Sequence, residues 1–139
     1  MKIKDIMSKS VIAADGGQSA YEVSRMMREH DVGAIPVFEK DVIAGIVTDR
    51  DIVLRCVAAG KNPSECKVSE IMSGGAVSVT PNQSIGDAAK IMAVVKIRRL
   101  PVLENGRLTG MLSFGDIAKS GAVDAEISEA ISEISRPFD

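Results

Sequence analysis

The stretch Gly45-Ile46-Val47-Thr48-Asp49-Arg50-Asp51 opens as an apolar strand and closes as a polar helix start. Ile43, Ile46 and Val47 surround a single glycine. A hydroxyl and two carboxylates follow where the first turn of a helix leaves backbone N–H groups without partners. Sixty-five positions later, Gly110-Met111-Leu112-Ser113-Phe114-Gly115-Asp116 repeats the plan, with the hydroxyl and the second carboxylate in register. Without a gap, the same shift sets Ile6-Met7-Ser8 on Ile71-Met72-Ser73, Gln18-Ser19 on Gln83-Ser84, Met27 on Met92, Pro36-Val37 on Pro101-Val102, and Asp51-Ile52 on Asp116-Ile117. Strand and helix patterning alone would not hold a Pro, a Gly and an Asp at constant offsets, so the chain is an internal duplication.

Each half can be read once and checked against the other. A β-branched stretch around Val11 and Ile12 predicts a strand, broken by Asp15-Gly16-Gly17. Ser19 is placed to cap a helix, with Glu22 three residues on to complete a capping box. Ala20, Val23, Met26 and Met27 then share one helical face, which runs out near His30. Ala34 to Phe38 and Val42 to Val47 read as a hairpin around Glu39-Lys40-Asp41. A second helix is expected from Asp51, carrying Ile52, Val53, Val57 and Ala58 inward and stopped by Gly60. The second half repeats this, with Ser84 and Asp87 in the capping positions and Ile85, Ala88, Ile91 and Met92 on the apolar face. Its hairpin turn contains Asn105-Gly106, a pair that accepts positive φ at both central positions.

The predicted class is therefore α/β (α+β), two β-α-β-β-α repeats followed by a C-terminal amphipathic helix. The boundaries are 1–60 for the first repeat, 61–67 for a linker, 68–120 for the second repeat and 121–139 for the tail. The linker is short enough that the halves are expected to pack together. In the tail, Val123, Ile127, Ile131 and Ile134 share one face. That helix would cover an edge of its own chain or dock on a second subunit.

Composition narrows the function. With 139 residues and 45% hydrophobic content the chain can bury a core. Its 17 Lys and Arg against 19 Asp and Glu leave a formal charge of −2, which offers no basic field for nucleic acid. Aromatic content of 3% offers few stacking platforms. No apolar run is long enough for a bilayer span, and the N-terminus lacks the apolar core of a secretory signal, so a cytoplasmic protein is expected. Cys56 and Cys66 lack metal-ligand spacing and the single histidine, His30, is far from both. Neither a catalytic triad nor a Walker-type loop is written here, so the expectation is a protein without catalytic residues, bound metal or required cofactor.

Apart from any family, the paired signatures suit a ribose phosphate. Asp51 and Asp116 can accept from a cis-diol, Thr48 and Ser113 each add a hydroxyl, and all four can equally serve as helix caps. Arg98 and Arg99 precede Pro101 where the first half has Gly33 and Ala34, and a guanidinium can grip phosphate oxygens with two hydrogen bonds. Arg50 is a further candidate, although its counterpart is Gly115, so the two sites are chemically unequal. An adenine ring would need an apolar slot, for which Ile12, Ile35, Val37, Val77, Val79, Leu100 and Val102 are the branched residues on flanking strands.

The whole pattern from about residue 2 to 120 resembles a tandem pair of CBS (cystathionine β-synthase-type) domains. The residues that carry the resemblance are Asp5-Ile6-Met7, Val32 to Val37 and Gly45 to Ile52, with Glu70-Ile71-Met72, Ile97 to Val102 and Gly110 to Ile117 in the second half. The resemblance implies two units related by a pseudo-two-fold axis, with clefts that bind adenosyl ligands such as AMP, ADP, ATP or S-adenosylmethionine, and basic residues before the Pro on phosphate. It also implies a regulatory module acting in trans on a protein partner that the residues do not identify, commonly as a homodimer. The alternative is an interaction scaffold with ligand-free clefts.

Overall fold

The computed structural model describes residues 1–9, 11–73 and 77–121. The predicted C-terminal helix lies outside the described residues. Two compact units are present, Ile12–Ala76 and Met1–Val11 with Val77–Asp139, called here the first-repeat and second-repeat units.

In the first-repeat unit, β1 (Ala14–Asp15) runs parallel to β2 (Ala34–Glu39), which pairs antiparallel with β3 (Val42–Thr48). The first strand sits just beyond the β-branched pair Val11–Ile12, and it is brief because Gly16 and Gly17 turn the chain at once. Helix α1 (Ala20–His30) starts where predicted, the Ser19 hydroxyl accepting the Glu22 N–H at 3.1 Å. Glu22 does not close the box: its carboxylate accepts a hydrogen bond from the Ser19 hydroxyl at 3.4 Å. The α1 chain reverses at Asp31, whose φ of 52° lies in the left-handed region. Lys40 and Asp41, at φ 51° and 63°, make the two-residue hairpin turn that matches strand twist.

A short α2 (Asp49–Ile52) runs into one π-helical turn, Val53–Val57, where Ala58 N–H donates to Val53 O at 2.8 Å. This corrects the predicted inward face. Ile52 and Cys56 point into the core, four residues apart, whereas Val53 is 55% and Val57 56% exposed and Ala58 is exposed too. The widened turn shifts the register after Ile52. Gly60, at φ 77°, ends the segment as expected.

The second-repeat unit holds α3 (Ile85–Val95), β4 (Arg99–Glu104), β5 (Arg107–Ser113) and α4 (Phe114–Lys119). Ser84 caps α3 by accepting the Asp87 N–H at 3.0 Å, and Ile85, Ala88 and Met92 are buried on its inner face. Asn105 and Gly106 both take positive φ in the β4–β5 turn. Each unit has its own apolar core: Ile35, Val37, Val47, Ile52 and Cys56 in one, Leu100, Val102, Leu112 and Ile117 in the other.

Neither unit is built from one repeat alone. The Ser73 N–H donates to Ile46 O at 2.9 Å and the Ile46 N–H to Ser73 O at 3.0 Å, which lays the segment preceding the second repeat along β3. The same bonds join Ser8 to Met111 of β5 at 2.9 and 3.0 Å, so the N-terminal segment borders the second-repeat sheet. Two 3-10 turns take part. Ile3–Asp5 hydrogen-bonds Gln83 O and Pro81 O, and Val68–Glu70 hydrogen-bonds Gln18 O and Gly16 O. The sequence repeat and the compact unit are thus different partitions of the chain.

This exchange explains the repeated Pro and Gly. Pro36 lies opposite Ile46 and Pro101 opposite Met111, and both partners turn their backbone polar groups outward to the bordering serine. The missing proline N–H therefore leaves no orphan across that pair. A Cβ on Gly110 would stand 2.5 Å from Met7 Sδ and 2.9 Å from Ser8 O, and on Gly45 it would stand 3.1 Å from Met72 Sδ and Ser73 O.

Two outcomes are expected. Gly110→Ala should cost about 1–3 kcal/mol in urea denaturation, because a backbone oxygen must move, and Gly45→Ala should cost less; equal stability of both variants and wild type would refute the close approach. Cys66 is buried beside Cys56, and burial foremost, with the neighbouring thiol, raises its pKa above the ordinary thiol value. The unfolded thiol therefore ionises first. Stability should be intact below about pH 8.5 and fall above it. Cys66→Ala should flatten that alkaline slope in pH-dependent melts.

Candidate functional site

The decisive side chains stand where each hairpin gives way to a helix. In the second-repeat unit, Ser113 ends β5 and caps α4: its hydroxyl accepts the Asp116 N–H at 3.0 Å, and Asp116 Oδ2 accepts the Ser113 N–H at 2.9 Å. Thr48 and Asp51 make the same reciprocal pair at 3.0 and 2.9 Å. The capping role is therefore present in both units. A carboxylate has a second oxygen, and there the two units differ.

Asp51 is only 8% exposed, and both of its oxygens are engaged. Oδ2 also accepts the Ser73 hydroxyl at 3.3 Å, and Oδ1 lies 3.9 Å from Arg55 Nε. Sequence reading passed over Arg55 and Ser73. The i,i+4 spacing of Asp51 and Arg55 was a visible signal, whereas Ser73 reaches Asp51 only through the segment exchange. Asp116 is partly exposed, and its Oδ1 has no hydrogen-bond partner among the described residues.

Strand pairing brings the predicted basic pair to the same place. Arg99 lies directly opposite Ser113, and Arg98 O accepts the Phe114 N–H at 2.8 Å. Both arginines are exposed, and the Arg98 guanidinium covers the Phe114 ring at 5.4 Å from its centroid. Ser113, Asp116, Arg98 and Arg99 thus form one cluster from residues 14 to 18 positions apart. In the first-repeat unit Arg50 is exposed beside Asp49, whose Oδ1 accepts its N–H at 2.9 Å.

The apolar candidates divide by burial. Ile35, Val79 and Leu100 are 0–2% exposed among core side chains, as are Val37 and Val102. The Val79 backbone is also committed, donating to Pro101 O at 3.0 Å and accepting from Leu103 N–H at 2.8 Å. Ile12 and Val77 pack on their cores with part of each side chain still exposed, so these two keep a face that an apolar ring can touch.

Duplicated helix–hairpin–helix units, each with a Gly-bearing strand ending in a hydroxyl–carboxylate cap, define a tandem α+β repeat protein, the first strand of the second unit being reduced to a single Val79–Val102 bridge. The chain belongs to the CBS domain family, which matches residues 3–57 and 68–122. It is 40% identical over 133 residues to the CBS domain-containing protein YhcV of Bacillus subtilis, covering 96% of this chain and 94% of that protein. Hypoxic response protein 1 of Mycobacterium tuberculosis is 34% identical over 117 residues, covering 84% and 82%. The structure of Hypoxic Response Protein I with two coordinated zinc ions superposes with a TM-score of 0.76 at 33% identity, covering 86% of this chain and 98% of that one. Hexameric CBS-CP12 protein from bloom-forming cyanobacteria gives 0.79 at 30%, covering 88% and 72%.

Proteins of this family are in general regulatory and not catalytic. Among the described residues, no three or more His, Cys, Asp or Glu come together to hold a metal, and no helix is long and apolar enough to cross a membrane.

The unequal engagement of the two carboxylates makes a stability prediction. Asp51→Ala should cost about 1–3 kcal/mol, since it orphans the Thr48 N–H and the Ser73 hydroxyl together, and Asp116→Ala should stay nearer the 0.5–2 kcal/mol of a lost cap. Equal losses in urea denaturation would show that Ser73 and Arg55 add nothing.

Proposed function

We propose that this protein is a regulatory module that binds an adenosyl ligand, AMP, ADP, ATP or S-adenosylmethionine, at the Asp116 cluster of its second-repeat unit and acts in trans on a protein partner. The carrying observation is that one Asp116 oxygen has no hydrogen-bond partner among the described residues, at the strand end that also carries two exposed arginines. A ribose cis-diol donates two hydrogen bonds and needs a charged acceptor that is not already spent. Arg99 and Arg98 supply donors for phosphate, and the exposed part of Val77 offers an apolar surface for the base. A ligand changes the state of such a module only by binding one conformation more tightly than another.

Isothermal titration with AMP, ATP and S-adenosylmethionine tests this reading. Asp116→Asn should weaken every adenosyl ligand about tenfold or more, and Arg99→Ala should weaken AMP and ATP far more than the sulfonium compound. The absence of heat with all three ligands at millimolar concentration would overturn it.

Self-association is a second reading, favoured by Val53, Leu54 and Val57, which are 48–56% exposed on one short segment. Sedimentation should show an oligomer for the wild type and a smaller species for Leu54→Lys.

A further inference from the structure

The protein's own side chains do in one unit what a ligand would do in the other. We infer that Arg55 and Ser73 occupy the first-repeat carboxylate in place of a ligand, so that the chain takes one adenosyl molecule, at Asp116, and not two. This rests on the adenosyl reading above.

The duplication supplies an internal control. Asp51 and Asp116 are the same residue at the same place in the same cap, so whatever distinguishes their free oxygens comes from their neighbours. Arg55 corresponds to Ser120, whose hydroxyl donates to Ile117 O at 2.6 Å. Ser73 corresponds to Ser8, which borders β5 through its backbone but makes no side-chain bond to Asp116 among the described residues. Asp51 instead receives the Ser73 hydroxyl on one oxygen and the Arg55 guanidinium beside the other.

Arg55 is also fastened at its far end, donating through one terminal nitrogen to Ile71 O at 3.4 Å and Met72 O at 3.5 Å. It ties the carboxylate to the segment that carries Ser73. A diol arriving at Asp51 would have to displace the Ser73 hydroxyl from one oxygen and the Arg55 charge that stands 3.9 Å from the other, and these losses offset what it gains. At Asp116 the same diol meets an oxygen that has no hydrogen-bond partner to displace among the described residues. Arg55 is thus a specificity determinant, and it acts by blocking Asp51.

The side chain of Arg55 is 55% exposed, so replacing it opens no core. The experiment is titration of the full chain with AMP, ATP and S-adenosylmethionine, reading equivalents bound per chain for wild type, Arg55→Ser and Arg55→Ser/Ser73→Ala, with melting curves to verify folding. One equivalent in the wild type and a second in either variant is the expected result, and the second should survive addition of Asp116→Asn. Two equivalents in the wild type, or one in both folded variants, would overturn the inference and leave the Asp116 reading standing. No binding by the wild type would remove both.

Discussion

Two backbone exchanges, Ser73 with Ile46 and Ser8 with Met111, are the constraint on which the rest depends. A two-stranded hairpin cannot hold a fold in water by itself, and each hairpin here gains a bordering segment on the side away from its proline. The strand can be approached closely only because Gly45 and Gly110 carry no side chain at the crossing. The same approach puts Met72 and Met7 against the sheets, which gives the repeated Ile-Met-Ser triplets a structural reason. A residue such as Ser73 then serves twice: its backbone completes the sheet, and its hydroxyl reaches Asp51.

From that constraint the asymmetry of the units follows. Both carboxylates are held in place by their caps, so both are positioned before any ligand arrives, at no further cost in side-chain entropy. In one unit the bordering segment adds the Ser73 hydroxyl to the capping oxygen, and the π-helical turn sets the Arg55 guanidinium beside the other. In the other, neither Ser120 nor Ser8 bonds the carboxylate, and among the described residues its second oxygen has no hydrogen-bond partner. Duplication made two equal carboxylate caps, and one change of residue, Arg55 against Ser120, together with the different reach of the paired serines Ser73 and Ser8, sets their surroundings apart.

Much of this was legible in the sequence because it repeats at constant spacing. The duplication, the caps at Ser19 and Ser84, the Asn105-Gly106 turn and the placement of Asp51 and Asp116 all depend on neighbours within four residues, where local rules hold. The inward face of the second helix was misread for a local reason too. A π-helical turn after Ile52 moved Cys56 inward and left Val53 and Val57 in solvent, and apolar residues on both faces gave the helical period no way to choose.

By itself, then, the sequence determined the two β-α-β-β-α repeats, their family and the four polar residues at the strand ends, since each is a matter of local periodicity and capping chemistry. Only the tertiary structure decided which segment borders which sheet, that Arg99 faces Ser113, and that Asp51 is engaged while one Asp116 oxygen has no hydrogen-bond partner among the described residues. Apart from Arg55, four positions from Asp51, those are contacts between residues 14 to 103 positions apart, Arg99 and Ser113 at one extreme, Ser8 and Met111 at the other. Periodicity says which face of an element is apolar, but the edge it pairs with is settled by backbone hydrogen bonds that every residue can make and that leave no mark on side-chain identity, save for a glycine where the chains come too close.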